Sequence, residues 1–121
     1  MWNWTPLEYK TVFTDLYNQF CDDPDTQATI ASRFDRLLEI GNLARDPISK
    51  HLDDGIFELR AKDARFLFYF GDNRTIVFVH AIIKKRNDVP PGDIELAKKR
   101  RKEIRDNKNN KGASNGLTFI N

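Results

Sequence analysis

A chain of 121 residues with 40% hydrophobic and 31% charged side chains is long enough for one domain with a sizeable core and too short for two. Its mean hydropathy is −0.62, no apolar run nears the ~20 residues of a spanning helix, and Met1-Trp2-Asn3-Trp4 lacks a charged start followed by an apolar stretch. No membrane span or signal peptide is therefore expected, and the expected location is the cytoplasm. Cys21 is the single cysteine, which excludes an internal disulfide and a zinc or redox pair and reads as a buried or half-buried structural thiol.

Along the chain, Thr5-Pro6-Leu7-Glu8 carries a helix-start signature, with Thr as N-cap, Pro in the first turn and Glu three residues after the cap. Tyr9, Val12, Phe13, Leu16, Tyr17 and Phe20 follow at helical spacing, so the spacing predicts a helix over 6–21. The alternative is a short strand over 8–13 followed by a helix capped by Thr14. Asp22-Asp23-Pro24-Asp25 breaks the chain. A second helix is predicted over 26–40, with Ile30, Phe34, Leu37 and Leu38 on one face and Gly41 as its stop.

After a loop over 42–47, three apolar runs at 56–62, 65–70 and 75–83 are separated by the short turns Asp63-Ala64 and Gly71-Asp72-Asn73-Arg74, which reads as an antiparallel meander. Pro90-Pro91-Gly92 precedes a predicted helix over 93–105. This helix is acidic in its first turn and crowded with Lys98, Lys99, Arg100, Arg101 and Lys102 toward its end. The domain is expected to span 1–106. Residues 107–116 read as a polar linker and 117–120 as an apolar segment that adds a strand or docks on a neighbouring molecule, a homodimer included.

The net charge of +2 hides an asymmetry: residues 1–54 hold five Lys/Arg against ten Asp/Glu, and residues 55–121 hold fifteen against eight. The basic half is the expected contact surface. Alternation puts Ile56, Glu58, Arg60 and Lys62 on one strand face, and Phe57, Leu59 and Ala61 on the face that packs. Clustered Arg and Lys repel unless an anion lies among them, and RNA phosphate suits that role. Arg60 and Arg65, facing each other across a tight turn, offer planar forks for phosphate oxygens. Lys84 and Lys85 end the third run, and one of them is expected to serve as acid or base. His80 reads equally as a core histidine or as a catalytic or substrate-contacting one. Tyr69 shares the face of Arg65 and could stack a base, although aromatics here more often pack. Lys50, Lys62, Lys98 and Arg101 are the expected contacts to RNA backbone, with a solvated helix face as the alternative for the last two. Glu58 reads as a partner of Arg60, and His51 as an exposed loop residue.

Lys50-His51-Leu52-Asp53-Asp54-Gly55-Ile56-Phe57-Glu58-Leu59-Arg60, then Arg65-Phe66, then His80-Ala81-Ile82-Ile83-Lys84-Lys85, then Pro90 and Asp93-Ile94-Glu95-Leu96-Ala97 resemble the phage-derived HigB-like branch of the RelE/ParE toxin superfamily. The resemblance spans roughly 30–105. It implies an α+β, RelE-like fold, a small antiparallel sheet packed against N-terminal helices with a C-terminal helix. It implies a type II toxin-antitoxin toxin that cleaves mRNA, commonly on the ribosome, by 2′-hydroxyl attack with no metal or cofactor. It also implies a helix-turn-helix antitoxin as partner, expected to share the surface on which residues 117–120 dock. Two departures stand out: no Tyr follows Tyr69, where better-known relatives carry a C-terminal catalytic tyrosine, and Ala81-Ile82 replaces a Gly-Phe. The alternative functions are a non-nucleolytic, ParE-like inhibitor of a protein target and a phage-encoded binding module. No P-loop, zinc site or hydrolase triad is legible.

Overall fold

The computed structural model describes residues 3–45, 48–84, 88–108 and 117–120. In chain order the elements are β1 (Thr5–Tyr9), α1 (Val12–Gln19), α2 (Pro24–Ile40), a 3-10 turn (Gly41–Leu43), β2 (Ser49–Asp53), β3 (Ile56–Ala61), β4 (Ala64–Gly71), β5 (Thr75–Ile83), α3 (Pro91–Lys108) and β6 (Leu117–Phe119). They form the expected α+β architecture, with one six-stranded sheet in the order β2-β3-β4-β5-β1-β6.

The first forty residues depart from the expected single helix over 6–21. Thr5–Tyr9 is instead a strand that pairs in parallel with β5, from Thr5 opposite Thr75 to Glu8 opposite Phe78. Tertiary pairing overrides the local helix-start signature here. Glu8 explains how: its buried carboxylate accepts from the Phe13 and Thr14 amides at 3.0 and 2.9 Å and from the Thr14 hydroxyl at 2.6 Å. The residue that would have completed a capping box for its own helix satisfies the free N–H groups of the next one. The rival strand and helix of the sequence reading hold in kind, with the strand earlier and the helix starting at Val12.

α2 starts two residues before the expected Thr26, because Asp23 accepts from the Thr26 amide at 3.1 Å and Pro24 fits the first turn. Gly41 ends it at φ +53°. Cys21 is exposed rather than buried, since it lies in the turn between α1 and α2, outside their apolar stripes.

The expected three-run meander has four strands, β2 to β5. Lys50, outside the three expected runs, and His51, expected in a loop, pair with Glu58 and Phe57 of β3. The hairpins turn on Asp54 and Gly55, on Lys62, and on Asn73 and Arg74, all at positive φ. α3 runs past its expected end at Arg105 to Lys108. Leu117–Phe119 does add a strand, antiparallel to β1. The expected linker lies mostly outside the described residues.

Both sheet faces are covered, against the expectation that one strand face stays open. Phe13, Leu16, Ile30 and Leu37 of α1 and α2 pack on Leu59, Phe66, Phe68, Ile76 and Phe78. α3 lies across the other face, where Ala97 and Ile104 meet Ile56, Leu67, Tyr69, Val77 and Val79. The face bearing Glu58 therefore becomes interior along most of its length.

Candidate functional site

The β3–β4 hairpin sets Arg60 directly opposite Arg65. Lys50 stands opposite Glu58 on the outer side, and Ile82 opposite Arg65 on the inner. Residues opposite one another share a face, so Lys50, Glu58, Arg60 and Arg65 form one cluster. At the same end of the sheet Lys62 occupies the turn, and the Lys84 amide donates to the Asp63 carbonyl at 2.7 Å as β5 closes. The register thus gathers Lys50, Arg60, Lys62, Arg65 and Lys84 at one end of four strands, β2 to β5.

Their environments differ. Glu58 is 1% exposed and accepts from Arg60 Nη2 at 2.8 Å, while Arg65 Nε lies 4.0 Å from its other oxygen. The expected Glu58–Arg60 pairing is present. Arg65 is 3% exposed, and its Nη1 donates to the carbonyls of Lys62 and Ala64. Burial, and after it the charge of Arg60, lowers its proton affinity, with Glu58 and Asp63 acting in the opposite sense; a guanidinium stays protonated throughout. Arg60 is 29% exposed. Arg60 and Arg65 thus share the buried Glu58 carboxylate at a partly dry surface, where Coulomb interactions are strong.

His80 reaches the α3 side through a β-bulge. Leu67 faces His80 and Phe68 faces Phe78, so Val79 is the extra residue, and both Val79 and His80 turn toward α3. Its Nε2 lies 2.7 Å from Asp93 Oδ1 and its Nδ1 3.4 Å from Arg100 Nη1. Arg100 also donates to the Val79 carbonyl at 2.8 Å and lies over the Tyr9 ring at 4.9 Å. An arginine can only donate, which fixes the tautomer as Nε2–H, donating to Asp93. Both ring nitrogens are engaged, so His80 pins α3 to β5.

The other expected contacts divide. Tyr69 is 5% exposed beneath α3. Its ring therefore has no face open for base stacking, a correction to the sequence reading; burial raises its hydroxyl pKa above the usual value, with Arg105 and Arg101 opposing. Lys98 bonds to Asp53 and Glu95, which raises its pKa. Arg101, 9% exposed, donates to the Asp54 carbonyl and carboxylate. These two therefore clamp α3 to the β2–β3 turn instead of forming a free cationic stripe. Lys50 and Lys62 are exposed. His51 is exposed as expected, its Nε2 accepting from the Gly55 amide at 3.2 Å. Lys85 lies outside the described residues. Sequence reasoning did not single out Arg100 or its contact with His80; the signal was there in the i, i+4, i+7, i+11 stripe Asp93, Ala97, Arg100, Ile104. Among the described residues no cluster of His, Cys, Asp and Glu could hold a metal, and no helix is long and apolar enough to cross a membrane.

Fold and site together define a small α+β protein with a cationic end to its sheet. The family model for "Phage derived protein Gp49-like (DUF891)" matches residues 21–102. The chain belongs to that family, which covers every residue of the cationic cluster. No curated protein matches it. Among solved structures it is similar to a chain of the toxin-antitoxin complex RelBE2 from Mycobacterium tuberculosis, with 21% identity, 71% of this chain and 97% of that one covered, and a TM-score of 0.45.

Proposed function

We propose that this protein is the toxin of a type II toxin-antitoxin pair, a HigB-like mRNA interferase that works in the cytoplasm on ribosome-bound message and is held inactive by a helix-turn-helix antitoxin. One observation carries the reading: Arg60 opposite Arg65, both over the buried Glu58. The ordered motif resemblance and the phage-derived family agree with it.

Metal-independent cleavage moves the 2′-hydroxyl proton to a base, forms the bond from O2′ to phosphorus and breaks the bond to the 5′-oxygen, which leaves with a proton. The products are a 2′,3′-cyclic phosphate and a 5′-hydroxyl. The extra negative charge of the phosphorane is where fixed cations act most strongly. Arg60, the accessible guanidinium, binds the nonbridging oxygens. Arg65, locked by the turn carbonyls and Glu58, is a positioning residue that keeps Arg60 from relaxing away. Lys84, as an ammonium at the strand end, is the donor for the leaving 5′-oxygen. Lys50 and Lys62 hold flanking phosphates. His80 positions α3, and with it the outer wall of the site.

The test is primer-extension mapping of mRNA cleavage in a purified translation system, together with growth arrest on expression. Arg60→Ala and Lys84→Ala are expected to lower the cleavage rate by about 10²-fold or more, in line with loss of one charge-stabilising donor, Lys84→Ala at unchanged Tm and Arg60→Ala with a lowered Tm, because it strands the buried Glu58 carboxylate. A wild-type protein that arrests growth while leaving mRNA intact would overturn the nuclease reading in favour of a non-nucleolytic inhibitor.

A further inference from the structure

β6 is three residues long and, among the described residues, pairs with β1 at the edge of the sheet. Its two flanking clefts lie on opposite faces of the sheet. On the α3 side, Leu117 joins Leu7, Tyr69, Val77 and Ile104 in the wall of a cleft of about 280 Å³. On the other side, Ile120 closes the end of a groove of about 380 Å³ between α1 and α2, floored by Phe13, Tyr17, Ile30 and Phe34. Between them Phe119 is 70% exposed. The ties of this segment to β1 and the turn after it include the short ladder with Leu7, Glu8 and Tyr9, a backbone bond from the Ile120 amide to the Pro6 carbonyl at 3.2 Å, and a side-chain bond from the Thr118 hydroxyl to the Lys10 carbonyl at 3.0 Å.

We infer that the β1 edge is a strand-acceptor site for an extended segment of another polypeptide, and that β6 is its resident, displaceable occupant. The site has the two parts that strand addition uses: a backbone edge for affinity and side-chain clefts on alternate faces for selectivity. The segment it takes runs antiparallel to β1 and carries apolar residues three positions apart, one for each cleft, as Leu117 and Ile120 do. With β6 in place the two clefts still hold about 280 and 380 Å³ of open space, and among the described residues the ladder with β1 runs only from Leu7 to Tyr9. A longer segment with bulkier apolar side chains gains contacts that β6 lacks.

Magnitude decides against a second copy of this chain as that segment. Eight residues connect α3 to β6, and so short a link gives the resident strand an effective concentration on the order of millimolar. An identical strand from another molecule at micromolar concentration makes the same contacts and loses. The inference does not depend on the nuclease reading.

The test uses the full-length chain and a fluorescent peptide of residues 114–121, Ser-Asn-Gly-Leu-Thr-Phe-Ile-Asn. In the double variant Leu117→Asp, Ile120→Asp the resident strand loses both anchors. The peptide is expected to bind this variant at least about ten-fold more tightly than wild type, and a peptide with the same two substitutions is expected to bind neither. Equal binding to both proteins, or none up to about 1 mM, the scale set by the link, overturns the proposal. A wild-type dimer with β6 exchanged between copies would also overturn it. Hydrogen exchange on the wild type guards against a misfolded variant. The Ile120 amide is expected to exchange at least about a hundred-fold faster than the β4 amides, as local opening implies, and equal protection would show a strand that does not leave.

Discussion

Replacing Glu58 by Gln removes a buried carboxylate shared by two guanidinium groups while keeping shape and most hydrogen-bonding capacity. Glu58 and Arg65 are 1% and 3% exposed, and Arg60 is 29% exposed at 2.8 Å from the carboxylate. Loss of one partner from a fully buried ion pair costs about 3–5 kcal/mol, because it strands the opposite charge. Partial solvation of Arg60 moves the expectation to about 2–3 kcal/mol. With an unfolding entropy near 2.1 cal/mol/K per residue, a chain of this length loses about 4 °C per kcal/mol, so Tm should fall by about 8–12 °C. Differential scanning calorimetry measures it directly. The variant also carries one negative charge fewer beside Arg60 and Arg65, so sulfate should raise its Tm more than that of wild type. An anion at about ten times its Kd contributes about 1.4 kcal/mol, or about 6 °C. General sulfate stabilisation affects both proteins and cancels in the difference. A Tm within about 2 °C of wild type, together with an identical sulfate response, would refute the picture of two cations balanced on one carboxylate.

Two further outcomes follow from the core. The folded-state pKa of Tyr69 is raised by burial, so its contribution to stability is complete below the unfolded value near 10 and is lost as pH rises through the higher folded value; Tyr69→Phe should flatten the alkaline limb of Tm against pH. Gly41→Ala would force a side chain into φ +53° and bring its Cβ within 2.0 Å of the Trp4 indole, so denaturant titration should show a loss of at least about 2 kcal/mol from strain and displacement.

The meander, α2 and α3 were legible because each rests on a local pattern. The alternating runs 56–62, 65–70 and 75–83 and the helical stripe of Ile30, Phe34 and Leu37 carry their own period. β1 was not, since its strand character comes from β5, seventy positions on, and locally Thr5-Pro6-Leu7-Glu8 spells a helix start. The hairpin joining Arg60 to Arg65 was legible, but the expected turn Asp63-Ala64 would set Lys62 opposite Arg65, whereas the turn falls on Lys62 and Asp63 and sets Arg60 there. The depth of Arg65 was not legible, because burial is set by tertiary packing that the local pattern does not carry. His80 stayed ambiguous for a definite reason: counted from Ile76 and Phe78 it belongs to the α1–α2 face, counted from Ile82 to the α3 face, and only the bulge at Val79 decides. Lys98 and Arg101 looked like surface charge because their partners, Asp53 and Asp54, are distant in sequence.

The parallel pairing of β1 with β5 has a consequence for the order of events during synthesis. Thr5 cannot meet Thr75 until the chain has been made through the whole β2–β5 meander, so the first strand emerges long before its partner exists. Closing so large a loop is slow compared with forming the neighbouring hairpins. The nascent chain therefore carries β1, and with it the Glu8 cap on α1, without a seat on the sheet until β5 is out. α3 and the carboxylates of its clamp partners come together later still. The sheet end bearing Arg60 and Arg65 is thus shaped early, and the helix that covers the Leu67 and Val79 face of the sheet is among the last parts to arrive.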